Sequence, residues 1–153
     1  MVDFIPKGFH TVTPYLCVEG VNQLIEFLKA AFDATAVKAC NTAPDGTILH
    51  AEFKIGDSYL MLGEAKGAYR PAPANMYLYV PNTDKVYKQA LAAGATSVIE
   101  PADQFYGDRN AGVKDASGNI WWIATHIEDV SDEEMERRGK AHAAEKEKAH
   151  AKV

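Results

Sequence analysis

His50 and Glu52 stand two residues apart in the run Ile48–Ile55, and Lys54 follows after two more. Alternate residues of a strand share a face, so imidazole, carboxylate and ammonium project together while Leu49, Ala51, Phe53 and Ile55 form an apolar face opposite. A carboxylate beside an imidazole raises its basicity and fixes its tautomer, which is the arrangement of a general base. The same two side chains could also begin a divalent-metal site, with His126 as the remaining imidazole in reach. Two donors do not close such a site, so a His–Glu hydrogen bond in a polar cleft is the simpler reading. Alternation elsewhere turns Thr13, Tyr15, Tyr59, Met61, Asn75, Tyr77, Asn110, Gly112 and Trp122 toward the same cleft. Tyr15, Tyr59, Tyr77 and Trp122 would line it with rings able to hold a flat or cationic organic ligand. Arg109 adjoins Asp108 at a bend, where a structural ion pair with that acid is expected ahead of a clamp on an anionic substrate. Gly-rich phosphate loops, Ser-His-Asp sets and zinc-finger spacings do not occur.

The elements that must position these residues occur twice. Thr11–Val18 alternates as a strand, and Pro14 within it, lacking an N–H, marks an edge. Val21, Leu24, Ile25, Leu28 and Phe32 then fall at helical spacing. A strand near residues 34–40 precedes a hairpin, Ile48–Ile55 and Ser58–Leu62, and residues 63–73 read as a linker rich in Gly, Ala and Pro. Beyond it come a strand at Asn75–Val80, a helix at Asp84–Ala93, a short strand at Ser97–Ile99, and a hairpin of Ala111–Lys114 with Asn119–Thr125. A shift of 62 residues lays Thr13 on Asn75, Tyr15 on Tyr77, Leu24 on Val86 and Ala31 on Ala93. Strand, helix and three strands therefore repeat, giving modules at 1–65 and 66–130. Residues 131–153 form a charged tail. Ser131 and Glu134 make a capping box, but no apolar stripe follows, so a solvent-exposed, fraying helix is expected.

Composition narrows the function classes. The chain has 153 residues, 47% of them hydrophobic and 24% charged, with a net charge of −5. Clustered Lys and Arg for reading phosphates are lacking, which argues against nucleic acid. No apolar run approaches the length of a membrane span, and Met1–Lys7 lacks the features of a signal peptide. Cys17 and Cys40 are not spaced as a redox or metal pair, and free thiols in a reducing cytoplasm are expected.

The tandem repeat resembles the vicinal oxygen chelate superfamily, which comprises glyoxalase I, bleomycin-resistance proteins, fosfomycin-modifying enzymes and extradiol dioxygenases. Its small PhnB-related branch is the most similar. The resemblance rests on Thr13-Pro14-Tyr15-Leu16, Ile25-Glu26-Phe27, His50-Ala51-Glu52, Ile55-Gly56-Asp57-Ser58 and Tyr106-Gly107-Asp108-Arg109. It continues through Gly112-Val113-Lys114-Asp115, Gly118-Asn119 and Trp121-Trp122-Ile123-Ala124-Thr125-His126, and spans about residues 8–130. It implies an α+β fold in which two βαβββ modules curl a mixed sheet around a cleft, with helices outside, and in many members a homodimer. Metal-dependent members carry His or Glu on the first and last strands of each module. Here those positions are Thr13, Asn75, Met61 and Trp122. The resemblance therefore implies a protein that binds a small organic molecule without the usual metal and with no cofactor, as a sequestering module or a metal-free enzyme, and the composition places it in the cytoplasm. The alternative it leaves open is a metal-dependent lyase, isomerase or oxygenase with an atypical ligand set on His50 and Glu52.

Overall fold

Tyr15, where the first strand begins, follows directly on Pro14, which has no N–H to donate but whose carbonyl accepts from the Met61 amide at 2.9 Å. The computed structural model describes residues 2–151, so Met1 of the first module and Lys152 and Val153 of the tail lie outside the described residues. Strand β1 (Tyr15–Val18) is shorter than the alternation predicts, because Val12 upstream is exposed and Thr13 turns its hydroxyl to donate to the His10 carbonyl. Helix α1 (Val21–Phe32) buries Val21, Leu24, Ile25, Phe27, Leu28, Ala31 and Phe32 along one side. The expected strand at 34–40 is reduced to β2 (Thr35–Ala36), followed by β3 (Asn41–Thr42), and both pair with β4 (Ile48–Ile55). β5 (Ser58–Glu64) completes the sheet, antiparallel to β4 and parallel to β1, in the order β1-β5-β4-β2 with β3 also on β4.

The second module repeats this plan. β6 (Asn75–Tyr79), α2 (Thr83–Ala92), β7 (Thr96–Asp103), β8 (Asp108–Lys114) and β9 (Ile120–His126) build a four-stranded sheet ordered β6-β9-β8-β7. β7 and β8 both run longer than expected and pair through two register shifts. β5 and β9 are offset by the predicted 62 residues, yet Tyr15 pairs with Met61 and Tyr77 with Trp122. The repeat has thus slipped by one residue between its first and last strands.

One hydrophobic core joins the modules. Leu16, Phe53, Leu60 and Leu62 from the first sheet and Ala111, Val113, Trp121 and Ile123 from the second close on the buried sides of α1 and α2. The helices touch each other: Gln89 of α2 donates to the Ala30 carbonyl of α1, and Phe32 meets Trp121 at 5.1 Å between ring centroids. The helices of one chain therefore lie between its two sheets, and the face of each sheet turned away from them is open.

Helix α3 (Asp132–His150) buries none of its residues. Its first half is nonetheless held: Arg138 donates to both carboxylate oxygens of Glu128 at 2.8 Å, and the His142 ring lies 5.0 Å from Phe105. The sequence shows no stripe there because the anchor is a guanidinium rather than an apolar row.

Candidate functional site

The residues expected to share one cleft divide between the two open sheet faces. On the first sheet, Tyr15, Met61 and Glu52 lie side by side across β1, β5 and β4, with His50 beside Gly63 and Lys54 beside Tyr59 on the flanking rungs. The Tyr15 phenol lies across Gly63, where a Cβ would sit 2.1 Å from its hydroxyl, so the ring needs glycine beneath it. Glu52 is 7% exposed and takes the Lys38 ammonium at 2.8 Å. His50 Nε2 stands 3.6 Å from the same carboxylate, beyond hydrogen-bond range. The expected His–Glu pair is thus a Lys–Glu pair with an imidazole alongside. Tyr59 packs edge-on against Phe9, with rings 5.0 Å apart.

The second sheet carries the richer face. Trp122 lies flat over Gly112, where a Cβ would come within 2.7 Å of the indole, and its Nε1 donates to Asn75 Oδ1 at 3.3 Å. Tyr77 and Tyr79 extend toward the strand ends, and both hydroxyls donate to Asp108 Oδ2, at 3.0 and 3.3 Å. Asn110 Nδ2 donates to the Tyr77 hydroxyl at 3.0 Å. His126 Nδ1 meets Asp108 Oδ1 at 2.8 Å, while Nε2 meets Asp129 Oδ1 at 3.0 Å. Asp108 is 4% exposed, so it is a buried carboxylate with three donors. Hydrogen bonds to Asp129 first, and then to Asp108, hold the His126 pKa above its ordinary value. Burial, and then the Tyr106 hydroxyl, push the Tyr77 phenol well up.

Asp108, Tyr79 and Asp129 were not among the expected cleft residues, and His126, expected within reach of His50 and Glu52, stands on the second sheet while they stand on the first. Alternation would have found three of these four, since Asp108 shares a face with Asn110 on β8, His126 with Trp122 on β9 and Tyr79 with Tyr77 on β6. Arg109 corrects a second expectation. It faces the opposite way from Asp108 and donates to Asp84 Oδ2 at 2.5 Å, Asp84 Oδ1 at 2.9 Å and Asp103 at 2.8 Å. Adjacent residues of a strand point to opposite faces, so sequence neighbours there cannot pair.

Between the modules runs a groove of about 1010 Å³. Lys54–Leu60 of the first hairpin and Pro14 form one wall, Met76–Pro81 the other, and Phe32, Val86 and Trp121 the floor. Lys54, Tyr59 and Tyr77 are the expected cleft residues that line it, and Tyr79 opens onto it from the second sheet.

The positions at which related folds hold a divalent ion do not suit one here. Trp122 offers an N–H and no lone pair, the Thr13 hydroxyl is turned to a backbone carbonyl, and Asn75 already accepts from the indole. Met61 supplies only a thioether, a soft donor for soft ions. Among the described residues no group of three or more His, Cys, Asp or Glu side chains is placed to hold a metal.

Comparison with known proteins locates the chain. The family model of the Glyoxalase/Bleomycin resistance protein/Dioxygenase superfamily matches residues 8–123. An uncharacterised protein of Mycobacterium bovis is 29% identical over 136 residues, covering 82% of this chain and 89% of its own length. Among solved structures, TioX from Micromonospora sp. ML1 superposes with a TM-score of 0.67 at 22% identity, over 77% of this chain and 99% of that one. The PhnB protein from Bacillus cereus gives 0.58 at 15% identity, over 76% and 99%. These structural likenesses concern the fold alone.

Proposed function

Because the chain belongs to the Glyoxalase/Bleomycin resistance protein/Dioxygenase superfamily, we propose that it binds a small, flat organic molecule on the open aromatic face of its second module. The observation that carries this reading is the exposed ring row. Tyr77 is 44% and Tyr79 68% exposed, yet both hydroxyls are tied to a buried carboxylate. Rings held in place but uncovered are preorganised for stacking, and binding costs them little rotamer freedom. Fold membership alone names no reaction, so the ligand class is argued from this face.

A second copy of the chain completes the site in this reading. Val98 and Ile99 continue the exposed apolar surface beside the rings, and an open sheet face in a homodimer would be covered. The protein works in the reducing cytosol, with Cys17 and Cys40 as free thiols. Among the described residues no helix is long and apolar enough to cross a membrane.

Binding proceeds without a divalent ion. The rival reading, a metal-dependent lyase, isomerase or oxygenase on His50 and Glu52, is disfavoured by Lys38, whose ammonium already neutralises the Glu52 carboxylate. Thermal-shift screening against flat organic compounds, catechols among them, tests the site. A saturable rise in Tm that Trp122→Ala and Tyr77→Ala both abolish is expected. Stoichiometric metal in the purified protein that is lost in His50→Ala would favour the rival, and a monomer in light scattering would refute the dimer.

A further inference from the structure

The acid–imidazole cluster at the end of the aromatic row has no counterpart in the first module. Matching the strand pairs, Ile48 and Ala65 stand where Asp108 and His126 stand in the second. The cluster is therefore an addition to the repeat and not a requirement of its fold.

Its two carboxylates are unlike. Asp108 is buried and saturated by Tyr77, Tyr79 and His126 Nδ1. The Asp129 side chain is wholly exposed, comes from the segment after β9, and has His126 Nε2 as its contact. An exposed ion pair of this kind contributes little, so it exchanges readily with another anion. Nε2 is the outward nitrogen of a ring that is half exposed and oriented by a buried acid. Such a nitrogen is a directed donor toward an anionic oxygen arriving over the rings.

We infer that this face takes a flat aromatic carboxylate, stacked on Tyr77 and Tyr79, whose rings lie 5.3 Å apart, and that its carboxylate replaces that of Asp129 on His126 Nε2. Charge complementarity selects this occupant. With Asp129 displaced, Asp108 still offsets the ring's charge through Nδ1, but the outward Nε2–H is left without an acceptor, and a ligand carboxylate supplies the one that Asp129 gave. A ligand ammonium has only donors and would leave the same N–H without an acceptor. The inference rests on the proposed binding face and adds the ligand's charge and the occupied seat.

Isothermal titration with three probes of one ring system tests it: 2-naphthoate, 2-naphthylmethanol and 2-naphthylmethylammonium. Wild type should bind 2-naphthoate most tightly. Asp129→Asn removes the competing anion from an exposed position and should tighten 2-naphthoate about two- to fivefold, the range expected for an exposed pair. His126→Gln should weaken 2-naphthoate about tenfold or more, to the level of the alcohol. Unchanged or weaker 2-naphthoate binding in Asp129→Asn, or a preference for the ammonium probe, overturns the inference while leaving the binding face intact. If none of the three probes binds, the binding face itself falls with it.

Discussion

Asp115 holds the turn that sets the register of β9, and replacing it with Asn gives a prediction that can be worked from four distances. Its Oδ1 accepts from the Ser117 and Asn119 amides at 2.9 and 3.0 Å, and its Oδ2 from Asn119 Nδ2 and Trp121 Nε1 at 2.9 and 2.8 Å. Asn119 and Trp121 are both fully buried. Asp115→Asn keeps the shape, so no cavity opens, but one end now carries an NH₂ facing two N–H donors. The amide will turn that end toward Ser117, which is half-buried and can reach water, leaving the Asn119 N–H without an acceptor. One unsatisfied buried donor, with loss of a charged acceptor for the others, costs about 2–4 kcal/mol. For a chain of this size that lowers Tm by roughly 5–15 °C. Urea unfolding followed by tryptophan fluorescence reads the change directly, with an unchanged m-value expected because the surface exposed is the same. A variant within about 0.5 kcal/mol of wild type would refute the reasoning, since the four bonds would then contribute no more than those of a surface residue.

Three further outcomes follow from the same geometry. Glu64 of β5 accepts the Gly20 and Val21 amides at 2.8 Å each, capping α1 where Gly20 brings no side chain, so Glu64→Ala should cost about 1–2 kcal/mol in urea unfolding. Gly112→Ala puts a Cβ within 2.7 Å of the Trp122 ring; near-UV circular dichroism should show the indole displaced, with ligand-dependent Tm shifts lost. The His126 pKa is raised above 6.5, so its contacts stabilise the fold fully below that ordinary value and lose their effect as pH rises through the higher folded-state value. The Tm advantage of wild type over His126→Gln should therefore be largest near about pH 5–6 and shrink at alkaline pH, and a gap that grows with pH would show the ring to be held neutral.

The repeat was legible because each module must bury one face of a helix and one face of a sheet, and those demands print apolar residues at fixed spacings. Leu24, Leu28, Phe53 and Ile123 could be placed from their neighbours alone, and all four lie in the core. Strand ends were less legible: β2 and β3 are two-residue pairings whose existence depends on β4 passing nearby. Polar partnerships were least legible, because they depend on which elements meet and not on local pattern. Lys38, near the short strands, took the carboxylate of Glu52 that His50 was expected to share. Asp108 was assigned to Arg109 by adjacency, whereas Tyr77, Tyr79 and His126, which hold it, lie 31, 29 and 18 positions away. Yet the rule that turned His50 and Glu52 to one face also separates Asp108 from Arg109 and joins it to Asn110. Applied along the whole of β8 and β9, it would have placed a carboxylate and an imidazole at one end of the aromatic row. Only their buried contact requires the fold, because β8 and β9 must pair in the register that sets Asp108 opposite His126.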